Sequence, residues 1–200
     1  MSCCRRQGDR DIKKTGERII GKGNWLVLRE DTFVSESGEE VHWECIAHAT
    51  DTYVVVVVAR LMPSGRYVLL RQYRQAIENT VIGFCAGVAP AGSDPEVEAL
   101  RELREEAGFV GHIVASSGPL KVNVGMSNDD QYILSAEIDE TDPLNQHPQQ
   151  ELEPSEEIEV VLLMKDEIPA FLLSEQAAGR TVGPGVWYMF GALAPLARHA

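Results

Sequence analysis

Five consecutive valines at 54–58 restrict the possible folds of this chain more than any other feature. β-branched side chains favour extended backbone, and a strand that is apolar at every position has no face suited to water. The run therefore predicts a strand that is buried on both faces. The apolar stretch around it, at 53–59, is far too short to cross a membrane.

Short strands separated by turns are predicted along most of the chain. Two hairpins are expected, one around the turn at 35–38 and one in which the valine strand returns through 62–66. Further strands are predicted at 80–84, 110–117, 130–138 and 157–163. Helices are predicted up to Gly108, at 165–173 and at about 186–198. Because strands and helices do not alternate strictly, the expected fold class is α/β or α+β with a mixed sheet.

The chain divides into three predicted segments. Residues 1–18 are polar and lack periodicity, which predicts a flexible N-terminal arm. Residues 19–50 resemble a small β appendage, and residues 51–200 form the main domain. Within that domain, 86–95 and 143–154 are predicted to be loops.

Composition excludes some functions. A net charge of −13 disfavours nucleic acid or an anionic membrane as the main partner, since both repel an acidic protein. A small phosphate compound would need a bound cation or a few arginines to reverse that repulsion locally. The four cysteines lack metal-binding spacing, and the start of the chain has no apolar signal region. We therefore expect a reduced, cytoplasmic protein.

The stretch "LRELREEAGF" at 100–109 is the best candidate for chemistry. On a helix, its glutamates and Glu98 lie on one face, opposite an aliphatic face. Clustered carboxylates repel one another and are suitable oxygen ligands for Mg²⁺ or Mn²⁺. They also suit an ordinary solvated helix face, with Arg101 and Arg104 offsetting part of the repulsion. The helix alone leaves both interpretations open.

The residues before the helix decide between them. "GVAPAGSDPEVEALRELREEAGF" at 87–109 resembles the Nudix box, G-x5-E-x7-R-E-U-x-E-E-x-G-U, in which U is a bulky apolar residue. Every fixed position matches except Ser93, where the pattern has glutamate. The resemblance implies a Nudix-type α/β/α sandwich that hydrolyses nucleoside diphosphates linked to another group.

The resemblance also implies roles for single residues. Metal binding, to Mg²⁺ or Mn²⁺, would fall to Glu102, Glu105, Glu106 and the carbonyl of Ala86. Glu105 and Arg101 are counted among the catalytic residues. In the family the glutamate missing at position 93 usually orients the box arginine, and two nearby acids are candidates to replace it. These candidates are Asp94 and Glu98.

A second stretch points to a subfamily. "VLLRQYRQAIENTVIGFCAG" at 68–87 is similar to ADP-ribose and ADP-sugar pyrophosphatases, although Gly83 replaces a usual glutamate and Cys85 a usual proline. The similarity implies a nucleotide-sugar substrate and a homodimer. "EPSEEIEVVLL" at 153–163 resembles a segment whose acidic residue positions the attacking water. The matching residue here is Glu156.

Substrate contacts also follow from the resemblance. The appendage would place two tryptophans on the adenine, with a glutamate accepting its amino hydrogen, and an arginine would bind phosphate. Two residues of the loop before the strand at 130–138 complete the expected set. The substrate-binding residues are Trp25, Trp43, Glu44, Arg74, Met126 and Ser127. The alternative for the tryptophans is that they anchor the core or the dimer.

Three other functions stay open. The substrate could be a different sugar nucleotide, such as GDP-mannose or UDP-glucose. The substitutions at Gly83 and Ser93 are compatible with a weakly active Nudix domain that binds a nucleotide as a sensor. The third possibility is a scaffold that uses only the fold.

Overall fold

The computed structural model describes residues 12–191 of the chain. The strands are β1 (Lys13–Lys22), β2 (Leu26–Val34), β3 (Glu40–His48), β4 (Thr52–Met62), β5 (Tyr67–Arg74), β6 (Asn79–Gly83), β7 (Cys85–Pro90), β8 (His112–Ser116), β9 (Leu120–Lys121), β10 (Asp130–Asp139), β11 (Ile158–Leu163) and β12 (Thr181–Val182). The helices are α1 (Pro95–Ala107), α2 (Pro143–Gln146), α3 (Ile168–Ala177) and α4 (Pro184–Phe190). No helix within residues 12–191 is long and apolar enough to cross a membrane.

The chain forms two compact units. The smaller one contains residues 12–52 together with 121–130, and the larger one contains 53–120 together with 131–191. The smaller unit is built on an antiparallel sheet in the order β1-β2-β3. The predicted hairpin is confirmed as β2 and β3, and its turn contains Gly38 at φ +84°. That left-handed conformation favours glycine.

The N-terminal arm is partly wrong. The predicted arm includes 13–18, but these residues lie in β1 and pair with β2. Almost every residue of β1 is exposed, so the strand lacks the apolar alternation that would reveal it in the sequence. The rest of the predicted arm, residues 1–11, lies outside the described residues.

The larger unit is built on a mixed sheet. The strand order is β12-β6-β5-β4-β10-β8, with β11 also paired to β5 and β7 to β4. β12 runs parallel to β6, whereas β5 is antiparallel to β4, β6 and β11. The valine run occupies β4, inside this sheet.

The sheet separates two hydrophobic cores. Val55 and Val57 belong to one core, while Val58 belongs to the other, so the prediction of a strand buried on both faces is confirmed. Along β5, Leu70 and Leu69 point into the first and second core respectively. Helix α1 contributes to the first core and helices α3 and α4 to the second. The expected α/β/α sandwich with a mixed sheet is therefore confirmed.

A partly buried ion pair attaches α3 to the sheet. The Arg71 guanidinium on β5 donates to both carboxylate oxygens of Glu175, at 3.1 and 2.8 Å. It also lies over the ring of Phe171, with 5.2 Å to the ring centroid. The first arginine of the "RQYR" stretch is therefore a structural residue.

Two predicted loops contain regular structure. The first half of 86–95 is strand β7, because small residues such as the fully buried Ala89 allow it to pack between β4 and α1. The segment 143–154 begins with α2, where the buried Asn145 side chain donates to the carbonyls of Val110 and Asp139. Both segments were predicted to be loops because the first is rich in Gly, Pro and Ala and the second is polar and rich in Gln and Pro.

The last two helices differ from prediction in their bounds. Helix α3 begins three residues later than expected, at Ile168, and continues to Ala177. Helix α4 begins with Pro184, a residue whose fixed φ suits a first helical turn. The part of the predicted last helix beyond residue 191 lies outside the described residues.

Candidate active site

Helix α1 carries the acidic side chains and is well defined at both ends. The Asp94 side chain accepts a hydrogen bond from the Glu96 N–H at 2.9 Å, which caps the first turn. At the other end, the Gly108 N–H donates to the Arg104 carbonyl at 2.8 Å, with φ of +77° at Gly108. A side chain at 108 would meet the backbone of Gln149 at 2.6 Å. The helix is therefore fixed in length.

Glu106 is the most buried acid of the site, with 1% of its surface exposed. Its carboxylate accepts a hydrogen bond from the Ala86 N–H at 2.7 Å, and Gln72 Nε2 lies 3.5 Å from its other oxygen. Burial raises the pKa of Glu106 to about 8; the Ala86 N–H opposes that rise, and the charges of Glu102 and Glu156 add to it. Glu106 is thus a buried carboxylate whose negative charge is poorly compensated by protein groups.

Glu102 lies directly against Gly87 of strand β7. A Cβ atom added at position 87 would overlap the Glu102 carboxylate, so a side chain there would displace this carboxylate from its observed position. Glu102 is itself buried, and burial raises its pKa while the positive charge of Arg101 opposes the rise. The glycine of the box is explained by this close approach.

Arg101 connects three of the glutamates. Its Nε donates to Glu98 at 3.0 Å, one terminal nitrogen to Glu102 at 2.6 Å and the other to Glu105 at 2.5 Å. The guanidinium offsets the repulsion among these carboxylates on one side of the helix. Arg104, the other flanking arginine, pairs instead with Glu151.

Ser93, the one departure from the box, has partners of its own. Its hydroxyl lies 2.8 Å from the hydroxyl of Tyr53 and donates to the Pro90 carbonyl at 2.8 Å. Of the two candidates to replace the missing glutamate, Asp94 caps the helix and Glu98 contacts Arg101. The Cys85 thiol nearby is buried, and burial raises its pKa well above the ordinary value.

Glu156 and Arg74 influence the same carboxylates. The charge of Glu156 raises the pKa of both Glu102 and Glu106, and that of Arg74 lowers the pKa of Glu106. The Glu156 side chain accepts from the Glu153 N–H at 2.9 Å. The loop is tied to the end of β5, since the Tyr73 N–H donates to the Glu157 carbonyl at 3.1 Å.

The larger unit thus brings together the predicted metal and catalytic residues. They are Ala86, Arg101, Glu102, Glu105 and Glu106. Glu156 is near enough to raise the pKa of Glu102 and Glu106, and Arg74 is near enough to lower that of Glu106. Gln72 was missed by sequence reasoning. Its signal was strand alternation, which places Gln72 on the same buried face as Val68 and Leu70.

The other predicted substrate contacts lie in the smaller unit. The indole N–H of Trp43 donates to the Gly125 carbonyl at 3.1 Å, and the Ile46 N–H donates to the Met126 carbonyl at 2.8 Å. Ser127 forms a bridge with Ile46, and Glu44 is exposed on β3.

The two tryptophans are not core residues of this unit. Trp25 is 81% exposed and Trp43 is 51% exposed. The core alternative for them is therefore wrong within the described chain. Dimer contact and base binding remain as roles for these exposed rings.

The donor set suits a hard divalent cation. Within residues 12–191, no group of three His, Cys, Asp or Glu side chains is arranged to hold a metal ion. Arg101 instead donates hydrogen bonds to both Glu102 and Glu105. Glu102 and Glu106 are nonetheless buried carboxylates whose pKa values are raised by burial and by the charges of neighbouring glutamates. A divalent cation beside them would relieve both effects, so the residues fit such an ion.

Comparison with known proteins identifies the family. Residues 51–180 match the NUDIX domain, which is more than half of the chain. The chain therefore belongs to the Nudix family and is a Nudix hydrolase. Nudix hydrolases generally use divalent metal ions.

Named relatives are similar over most of the chain. The ADP-sugar pyrophosphatase of Mus musculus is 27% identical over 161 residues, covering 77% of this chain and 74% of that protein. The ADP-ribose pyrophosphatase of Saccharomyces cerevisiae is 28% identical over 158 residues, covering 75% and 66%. A crystal structure of an ADP compounds hydrolase shares the fold, with a TM-score of 0.65 at 17% identity over 81% of this chain and 83% of that one.

Glu106 should make the stability of the metal-free protein depend on pH. Its pKa of about 8 exceeds the ordinary 4.5, so the folded state holds the proton more tightly than the unfolded state. That stabilisation is complete below pH 4.5 and is lost as the pH rises through 8. Glu106→Gln keeps an oxygen for the Ala86 N–H but cannot titrate.

Urea unfolding in a chelator at pH 5 and pH 9 measures the effect. The free energy of unfolding of the wild type should fall by a few kcal/mol more than that of Glu106→Gln, since one pKa unit is worth about 1.4 kcal/mol. Parallel pH profiles for the two proteins would contradict the assignment.

Proposed function

We propose that this Nudix hydrolase cleaves the diphosphate linkage of ADP-ribose or a related nucleotide sugar. The products are a nucleoside monophosphate and a sugar phosphate. The observation that carries the proposal is the pair of buried carboxylates, Glu102 and Glu106, packed against residues 86–87 of strand β7. Similarity to ADP-sugar and ADP-ribose pyrophosphatases supports the choice of substrate.

The carboxylates of Glu102, Glu105 and Glu106 and the carbonyl of Ala86 would hold Mg²⁺ or Mn²⁺. The metal, when bound, neutralises diphosphate charge and activates water. A net charge of −13 would otherwise repel a diphosphate, so the positive charge at this site has to be local. Arg74 adds to it, since its planar guanidinium suits a phosphate.

The remaining residues orient and exchange protons. Glu156 is half-buried, and we assign it the task of orienting the attacking water and accepting its proton. The water oxygen bonds to one phosphorus, the bond from that phosphorus to the bridging oxygen breaks, and the bridging oxygen leaves with the other phosphate. Gln72 and the Ala86 N–H hold the Glu106 carboxylate in place during this step.

The base would be recognised by residues of the smaller unit. Exposed Trp25 and Trp43 offer flat apolar surfaces, and a stacked base contributes about 1–3 kcal/mol. Glu44 would accept a hydrogen bond from the adenine amino group, with Met126 and Ser127 as further contacts.

Steady-state kinetics tests this recognition. The KM for ADP-ribose should be lower than the KM for GDP-mannose. Trp25→Ala should raise the KM for ADP-ribose.

A homodimer is proposed because the smaller unit exposes many large apolar side chains. These are Ile19, Trp25, Leu26, Val41, Trp43 and Val124. Apolar surface of this extent is typical of an interface. Sedimentation equilibrium should give twice the mass of the chain at micromolar concentration, and the single-chain mass would contradict the dimer.

Cys45 and Cys85 carry free thiols, which supports a reducing compartment. We accordingly propose a cytoplasmic location, for which cell fractionation is the test.

A panel assay tests the proposed reaction. With Mg²⁺ or Mn²⁺, the protein should release AMP and a sugar phosphate from ADP-ribose, and faster than it cleaves GDP-mannose or UDP-glucose. Glu105→Gln should lose more than about 100-fold in turnover, the upper end for a mere supporting residue of a metal site. Glu96→Gln is the matched control, because Glu96 is an exposed glutamate of the same helix.

The second candidate function is a nucleotide sensor. Gly83 and Ser93 stand where the family has glutamates, so two acids are missing around the site. Calorimetry with ADP-ribose and Mg²⁺ separates the candidates, since heat of binding without product indicates a sensor. No hydrolysis of any nucleoside diphosphate compound in the panel would contradict the proposed reaction.

A further inference from the structure

The Arg101 guanidinium contacts three glutamates, of which only two are proposed metal ligands. Each of its three nitrogens contacts a different carboxylate, at 3.0 Å for Glu98, 2.6 Å for Glu102 and 2.5 Å for Glu105. Under the proposed function, Glu102 and Glu105 also bind the divalent cation. Their carboxylates then interact with the cation as well, which weakens their attraction to the Arg101 guanidinium.

Glu98 is the one of the three glutamates that is not a proposed metal ligand. Its carboxylate contacts only Arg101 among the described residues, at Oε2. The side chain of Glu98 is 15% exposed and that of Arg101 is 41% exposed, so the carboxylate is partly shielded from water while the guanidinium is more open to it. Glu98 lies three residues before Arg101, a spacing that brings the two side chains together on a helix.

No nearby acid or hydroxyl competes for this role. The Ser93 hydroxyl is engaged by Tyr53 and by the Pro90 carbonyl. The Asp94 carboxylate caps the helix through the Glu96 N–H. Glu98 is the acid left to hold Arg101 once the metal ligands are occupied.

We infer that Glu98 is a positioning residue, which holds Arg101 to one side so that Glu102 and Glu105 are free to bind the cation. This inference rests on the proposed function. Without the Glu98 carboxylate, Arg101 has only Glu102 and Glu105 as partners. It then competes with the cation for these two side chains. Removal of Glu98 therefore weakens metal binding through Arg101, not through the helix.

Mn²⁺ titration followed by electron paramagnetic resonance measures this effect without using activity. Glu98→Gln should raise the Kd for Mn²⁺ about 10-fold, the lower range for losing a supporting residue of a metal site. Glu96→Gln removes the same charge from the same first turn and should leave the Kd unchanged. Equal Kd values for wild type and Glu98→Gln would overturn the inference.

A double-mutant cycle with Arg101→Gln shows whether Glu98 acts through Arg101. In the Arg101→Gln background, Glu98→Gln should change the Kd by less than about 2-fold, because coupled residues are non-additive. The same 10-fold loss in both backgrounds would mean that Glu98 acts by its charge alone, and would overturn the positioning role.

The Arg101 Nε–H resonance gives a second readout in the unaltered protein. With ¹⁵N-labelled arginine, this proton should exchange slowly with water both before and after Mg²⁺ is added. Rapid exchange after Mg²⁺ addition would show that Glu98 does not retain Arg101. A wild type that binds no Mn²⁺ overturns the proposed function and this inference together, whereas wild-type binding with an unaltered Glu98→Gln Kd overturns the inference alone.

Discussion

The hydrogen bond from the Ala86 N–H to the buried Glu106 carboxylate connects the sheet of this protein to its candidate active site. It connects strand β7 to helix α1 at the point where the first hydrophobic core ends. A buried carboxylate is costly unless it is paired, and this one has a backbone donor and a distant amide as its polar contacts. The raised pKa of Glu106 reflects that deficit, and a bound cation would remove it.

The surrounding structure explains how such a group is held. Leu103 and Ala107 on the opposite face of α1 are buried in the first core, so the helix cannot rotate to expose its acids. Gly87 lets strand β7 approach α1 closely enough for the Glu102 carboxylate to lie against its backbone. The second core packs the other face of the sheet, and the Arg71–Glu175 pair links β5 to α3 there. The positions of Gln72 and Arg74 depend on that strand.

Features that depend on local pattern were predictable from sequence. The valine strand, both hairpins, the end of α1 at Gly108 and the convergence of the glutamates follow from periodicity and turn residues. Features that depend on distant partners were not. Ser93 is satisfied by Tyr53, forty residues earlier. Strand β1 is stabilised by pairing, and Asn145 is buried by contacts with Val110 and Asp139. No local pattern encodes such contacts.

The association of 121–130 with residues 12–52 has the same origin, since the backbone hydrogen bond from the Ile46 N–H to the Met126 carbonyl joins segments far apart in sequence.

The central claim is that Glu102, Glu105, Glu106 and the Ala86 carbonyl hold divalent cations. Diffraction from crystals soaked in Mn²⁺, recorded at the manganese absorption edge, tests it most directly. Anomalous peaks are expected between these four groups, with Arg101 still paired to Glu98. Manganese bound elsewhere, with these carboxylates free of it, would contradict their role as metal ligands.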